Sequence, residues 1–522
     1  MIRFARLLCS NSRSGVKHGG QQKQHRLRVG LLFLSCFLLA LSAVAQTDQC
    51  SLNLSITPAS PVASGQPVTV TVSRNFPAMS TVTAPVSLDG QQFCNFANPF
   101  IDPQDNTCPA TGTTFNNLSA GNHTVSWTCT VINDPNAGPP ITGSQSFTVN
   151  GTNPKILTGY FPEWGPSSHY YVKNVVTSGS APLLTIINYA FANVANNSCA
   201  IADPSADYQQ RYTAANSVDG TADSTSGTGL FGSFHQLQEL KSKYPNLKVL
   251  ISLGGAKLSS GFKSAAQPGN VAGFVSSCID MFINGNIAPG VSAPGLFDGI
   301  DINWEWPGSA DTSNYVNMLA MFRNQLDAIR PNLLLTIAGT PGSWATGPQP
   351  LSSIHPYLNY INIETYGYAG PWEKTTNFVA PLYGPNGSPT AAHNIDATVQ
   401  SYLAAGVPPS KLLMGVPFFA YDWTSVPNTN NGLYQMGTPD PAGATYAHVV
   451  QILPHFQQFR DPVSQEPWLF DGSTFWTFDD PTSIAFKMNY LKSQGLAGAM
   501  LWNLDQDTST GTLIQAVHAG LQ

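Results

Sequence analysis

Between Cys50 and about Asn150 the chain alternates apolar and polar residues: Val68, Val70 and Val72 fall on one face, Thr69, Thr71 and Ser73 on the other. A period of two is the mark of strands with one face in a core and one in water. Turn-forming breaks such as Ser64-Gly65 and Ala120-Gly121-Asn122 separate the runs, and no helical period of similar strength intervenes. A small antiparallel sandwich is predicted for residues 46–150. Trp127, its one tryptophan, shares strand parity with Val125 and Cys129. The indole is therefore expected on the buried face rather than on an exposed sugar-stacking platform, which favours a spacer over a binding module.

Asn150 to Asn153 form a short polar linker, after which the pattern changes. Continuous apolar runs recur, each followed by a polar, Gly-rich loop and a helix-like segment, as in a parallel α/β fold. The runs are 156–161, 184–192, 247–253, 297–304, 333–338, 360–365, 412–418 and 496–502. Eight strands in roughly 370 residues predict a (β/α)8 barrel over residues 154–522. Two connections are long, 194–229 and 424 to about 473, the second being an insertion between strands seven and eight. Loops after barrel strands carry active sites, so both are candidate cleft walls.

The first 28 residues hold seven Lys or Arg and no acid, residues 29–45 are almost wholly apolar, and Ala43-Val44-Ala45 supplies small residues. Residues 1–45 read as a cleaved export signal. Of the 23 Lys and Arg, losing those seven leaves 16 against 29 Asp and Glu, a net charge of −13. Such a surface repels nucleic acid and anionic membranes and leaves a neutral polymer unaffected. The mature protein is expected to be extracellular, free of membrane and monomeric.

Cys50, Cys94, Cys108 and Cys129 crowd into the first hundred mature residues, a density that reads as disulfides in an exported protein. Cys94 with Cys108 and Cys50 with Cys129 is the preferred one of three pairings; whether Cys199 and Cys278 meet stays open. No CxxC pair or HExxH helix occurs and the histidines are scattered, so neither a metal nor a cofactor is expected.

Chemistry concentrates in the fourth run, where Asp301, Asn303 and Glu305 alternate with Ile300, Ile302 and Trp304. In a barrel strand the polar set must point inward while the apolar set, Trp304 included, packs on helices. Two carboxylates and an amide stacked inside a barrel are costly to charge, which raises carboxyl pKa values as a general acid requires. Asp298 has the opposite parity from Glu305 and reads as structural.

This run resembles the DxxDxDxE signature of family-18 glycoside hydrolases, matched at Asp298, Asp301 and Glu305, with Asn303 where the family has its third aspartate. Ser252-Leu253-Gly254-Gly255 resembles the SxGG motif, Asn188-Tyr189-Ala190-Phe191 the second strand, and Thr365-Tyr366 the strand-six pair with the active-site tyrosine. Gly415-Val416-Pro417-Phe418, Phe478-Asp479-Asp480-Pro481 and Ala499-Met500-Leu501-Trp502 match later landmarks, so the resemblance runs in order from about Lys155 to Gln522. The sandwich resembles the immunoglobulin-like modules of secreted bacterial enzymes.

The resemblance implies a chitinase acting on chitin or N-acetylglucosamine oligomers by a retaining, substrate-assisted mechanism, a known exception to the two-carboxylate scheme. It implies Glu305 as acid and then base, Tyr366 on the acetamido oxygen, Asp301 as support and Trp502 beneath the distorted sugar. Tyr160, Phe191, Trp164, Trp306, Trp372 and Glu364 are the remaining expected sugar contacts. A catalytically silent lectin, or an endo-β-N-acetylglucosaminidase on other N-acetylglucosamine glycans, are the competing readings.

Departures from the family lie close to the sugar. Glu364 stands where methionine is usual, Gly367 where aspartate is usual, and Phe419 with Tyr421 where tyrosine and arginine are common. Asn303 can still accept the acetamido N–H but brings no charge. Without that like charge the pKa of Glu305 should be less raised. The basic limb of the activity profile is therefore expected at lower pH than in an Asn303→Asp variant; identical limbs in the two proteins would refute this electrostatic account.

Overall fold

The computed structural model describes residues 50–60, 62–63, 67–74, 81–97, 106–116, 118, 121–132, 138–150, 155–227, 229–342 and 350–522. The expected export signal, the turn residues Ser64, Gly65 and Ala120, the linker at 151–153 and Trp344 lie outside the described residues. The chain divides into two compact units, Met1–Asn153 and Pro154–Gln522.

In the first unit Leu52–Thr57, Val68–Arg74 and Thr113–Phe115 form a three-stranded antiparallel sheet. Val62–Ala63, Ile141–Asn150, Gly121–Val131, Val82–Leu88 and Gln91–Ala97 form a five-stranded one. Residues of alternate parity from both sheets share one core, among them Val68, Val70, Val72, Val86, Val125 and Phe147. Trp127 belongs to that core, and a Cβ at Gly143 would stand 2.2 Å from its ring, so only glycine admits the indole there. Cys50 pairs with Cys129 and Cys94 with Cys108, as expected; in the second unit Cys199 pairs with Cys278.

The second unit is a closed barrel of eight parallel strands: Ile156–Pro162, Ile186–Ala195, Lys248–Gly254, Gly299–Asn303, Leu334–Gly339, Tyr360–Ile363, Leu412–Pro417 and Gly498–Trp502. Each pairs with the next and the last returns to the first. All eight apolar runs became strands because both faces of each are covered, by helices outside and by neighbouring strands' side chains inside. Ile300, Ile302 and Trp304 join the core that includes Phe262, Tyr315 and Leu319, with Trp304 stacked on Phe262 at 5.3 Å.

The two long connections differ from their description as loops. At the first, strand two continues to Ala195 and folds back through Asn196 and Asn197, both at positive φ, into Ser198–Ala200. Two central residues at positive φ make the tight hairpin turn that suits strand twist, and asparagine tolerates that conformation. The second connection is a sheet of its own, in which Phe419–Thr424, Thr438–Pro439, Gln457–Arg460, Pro467–Phe470 and Phe475–Thr477 pair antiparallel. Trp423, Trp468, Phe470 and Phe475 fill its core.

A buried ion cluster ties this insertion to the helix Pro481–Ser493. The Lys487 ammonium donates to both oxygens of Asp479 at 2.6 Å and to Glu466 at 3.1 Å, all three side chains being inaccessible to water. Burial, with Asp479 alongside, pushes Glu466 up to about 8, while Lys487 pulls it back. Burial raises Asp479 as well, and Lys487 with Ser483 pulls it back. Lys487→Met should destabilise the barrel by about 3–5 kcal/mol at pH 7 by stranding a buried charge, and by less at pH 4, where the carboxyls can take up protons. Equal losses in denaturant titrations at both pH values would show that packing, not charge, is what Lys487 contributes.

Candidate active site

The C-terminal ends of the strands open onto a groove of about 700 Å³. Glu305, Trp306, Glu364, Tyr366, Trp372, Tyr421 and Trp502 line it. Its far wall is Ala442–Gly443–Ala444–Thr445 from the insertion. The first long connection, 194–229, supplies no residue to this lining, contrary to expectation: its chain turns back at Asn196-Asn197, and Cys199 is clipped to Cys278 of the helix Val271–Cys278.

Below the groove sits Asp301, wholly buried. Its Oδ2 accepts from Tyr160 (2.9 Å) and Ser252 (2.6 Å), its Oδ1 from Thr336 (2.6 Å) and Asn362 (3.1 Å). Burial pushes its pKa up and these four donors pull it back. Tyr160, expected as a sugar contact, lies beneath the groove, only 2% exposed. Asn303 is buried as well, does not line the groove, and its Oδ1 has no hydrogen-bond partner among the described residues. Asp298 lies at the other end of the strand, where it accepts from Lys241 (2.7 Å) and the Val249 amide (3.0 Å).

Glu305 follows the strand end, its backbone N–H held by Ser259 Oγ at 3.0 Å. Its side chain is half-buried, and burial pushes the carboxyl up to about 7. With asparagine at 303 in place of a third aspartate, desolvation is the cause of this rise. Glu364, half-buried across the groove, is raised by burial and by the charges of Glu305 and Asp301.

Aromatic rings extend the groove in two directions. Trp502 stacks on Phe191 at 5.9 Å and touches Tyr160 at 5.3 Å, and Phe191 leads to the exposed Trp164 at 6.4 Å. On the other side Tyr366, Phe419, Tyr421 and the exposed Trp372 follow edge to face or tilted, 5.1–5.9 Å apart. Faces of this kind take the apolar side of a sugar ring. Thr336, Asn362 and Ser259 were not singled out from sequence, whereas the Ala442–Thr445 wall falls in the second long connection, as expected. Thr336 and Asn362 do carry a signal, as lone polar residues in otherwise apolar runs.

The fold and site define a parallel (β/α)8 barrel with a carboxylic acid just past its fourth strand, facing an aromatic groove where barrel active sites lie. The chain belongs to glycosyl hydrolases family 18, whose family model matches residues 156–507. It is 35% identical over 384 residues to Chitinase C of Streptomyces lividans, covering 71% of this chain and 60% of that one. It is 34% identical to Chitinase 63 of Streptomyces plicatus over 73% of this chain and 65% of that one, so the matched stretch spans under two thirds of these relatives. The catalytic domain of psychrophilic chitinase B from Arthrobacter TAD20 superposes with a TM-score of 0.65 at 32% identity, covering 70% of this chain and 95% of that one.

A raised carboxyl pKa is also a stability statement. Folded Glu305 keeps its proton up to about 7, whereas the unfolded chain loses it near 4.5, so stability falls as pH rises through that window. Glu305→Gln removes the penalty. The variant should be more stable than the parent by about 2–3 kcal/mol at pH 8 and equally stable at pH 4, as read from urea midpoints; a gain independent of pH would contradict the cause given.

Proposed function

We propose that this chain hydrolyses β-1,4 bonds in chitin and N-acetylglucosamine oligomers with retention of configuration, the substrate's own acetamido group acting as nucleophile. The observation that carries the reading is Glu305, an acid held protonated to about 7 in the middle of an aromatic groove. A group with that pKa can donate a proton at neutral pH and take it back from water. Glu305 protonates the leaving glycosidic oxygen; the acetamido oxygen attacks the anomeric carbon; Glu305 then deprotonates the incoming water. The Tyr366 hydroxyl, whose one hydrogen bond among the described residues is a long 3.9 Å donation to the Met500 sulfur, can exchange that weak acceptor for the acetamido oxygen. Trp502 floors the reacting sugar, and Trp306 and Trp372 hold the chain to either side.

In this reading Asp301 acts as support, anchored by four donors in the middle of strand four. Three disulfides suit an oxidising compartment and support export. No helix among the described residues is long and apolar enough to cross a membrane. The names of the Streptomyces relatives favour chitin over the other glycans considered. With an N-acetylglucosamine tetramer, the protein should release dimer in the β configuration, followed by proton NMR of fresh product, and Glu305→Gln should lower turnover by about 10³-fold. Tight binding of an intact tetramer would replace hydrolase by lectin, and a Glu305→Gln protein with full turnover would remove Glu305 from its role.

A further inference from the structure

Cleavage assisted by an acetamido group needs two things from the protein beside the acid: an acceptor for the acetamido N–H, and a negative charge near the positive one that grows on that group. Three polar side chains point inward along strand four. Asp301 has both oxygens committed to four donors. The Asn303 side chain is buried, does not line the groove and, being an amide, supplies no negative charge. Glu305 is occupied as acid. Among the groove-lining residues there is one other carboxyl, that of Glu364, and no lysine or arginine.

The barrel's register sets Glu364 opposite Glu305. Asp301 pairs with Thr336 and Thr336 with Tyr360. Four residues further along each outer strand are Glu305 and Glu364, and the Glu364 amide continues the ladder by donating to Gly339 O at 2.9 Å. Asn362 reaches Asp301 across the barrel, so Glu364 stands one layer above that contact and Tyr366 two, and Glu305, Glu364 and Tyr366 line the same groove. No hydrogen bond from either carboxyl to the protein occurs among the described residues, which leaves both free for a sugar.

We propose that Glu364 is the second carboxylate of the reaction, accepting the N–H of the reacting acetamido group and balancing the positive charge that builds on it. The inference rests on the hydrolase reading above. The charge of Glu305 helps raise Glu364, so the two carboxyls titrate as a coupled pair. A bound N–H donor draws that charge to Glu364 and leaves the proton on Glu305. As the glycosidic C–O bond breaks, that proton goes to the leaving oxygen while the acetamido oxygen bonds to the anomeric carbon; the resulting cationic ring then faces the Glu364 anion. Water opens that ring and its proton returns to Glu305.

The remaining ionisable groups around the pair are Asp301 on strand four, Tyr160 on strand one, Tyr366 after strand six, Tyr402 on the helix Ile395–Ala404 and Tyr421 on the insertion. None is basic. Burial and the charges of Glu305 and Asp301 push Glu364 up. By reciprocity, an ionised Glu364 holds the last proton on Glu305 to higher pH.

Substitutions at 364 separate charge from shape, because glutamine keeps the shape without the charge and aspartate keeps the charge without the shape. With the N-acetylglucosamine tetramer, Glu364→Gln should lose about 100-fold in kcat with KM within about three-fold, and its basic limb should move to lower pH. Glu364→Asp should keep at least about ten times the kcat of Glu364→Gln. Glutamine equal to or better than aspartate, or an unmoved basic limb in Glu364→Gln, would overturn the proposal while the parent's turnover still upheld the hydrolase. A parent that leaves the tetramer intact would instead overturn the hydrolase reading itself.

Discussion

A carboxyl group that must donate a proton near neutrality has to be partly stripped of water and yet open to its substrate. Glu305 meets both demands by standing two residues past the end of strand four, half in the barrel mouth and half in the groove. Burial of this degree disfavours the charged form, and the barrel sustains it above an aspartate that is already satisfied. Asp301, the deepest member of the polar stack, is held by donors from strands one, three, five and six. Those four bonds knit half of the barrel's strands to strand four, so the acid's position is fixed from below by the same network that neutralises the cost of the buried aspartate.

The groove is built by a division of labour between barrel and insertion. The floor, Trp502 and Tyr366, comes from strand ends and is as rigid as the barrel. The wall comes from a separate sheet, whose core of Trp423, Trp468, Phe470 and Phe475 is independent of the barrel's. Lys487, Asp479 and Glu466 join the two, placing an expensive buried charge cluster where the wall must keep its distance from the floor. The arrangement lets side chains such as Phe419 and Tyr421 reshape the sugar contacts without disturbing the acid.

Much of the barrel was legible because each strand must bury both faces, so a parallel strand is written as an uninterrupted apolar run between polar loops. All eight runs appear as strands. The inward parity of Asp301, Asn303 and Glu305 followed from the two-residue repeat, as did the burial of Trp127 and the packing of Trp304 on helices. The insertion was harder to read. Its strands, Pro467–Phe470 and Phe475–Thr477, are three or four residues long, below the length at which a repeat of two stands out from chance.

Local sequence determined what each segment could be: which residues form strands, which side of a strand each side chain takes, and which residue types could hold a proton or stack on a sugar. Only the closed barrel decided which of these meet. Asp301 and Asn362 are 61 positions apart in the chain and share a hydrogen bond; Asn303, two residues from Glu305, is shut away while Glu364, 59 further on, faces it. The reason is physical: parity is set by neighbours along the chain, whereas level and desolvation are set by register between strands, and register is a property of the assembled sheet alone.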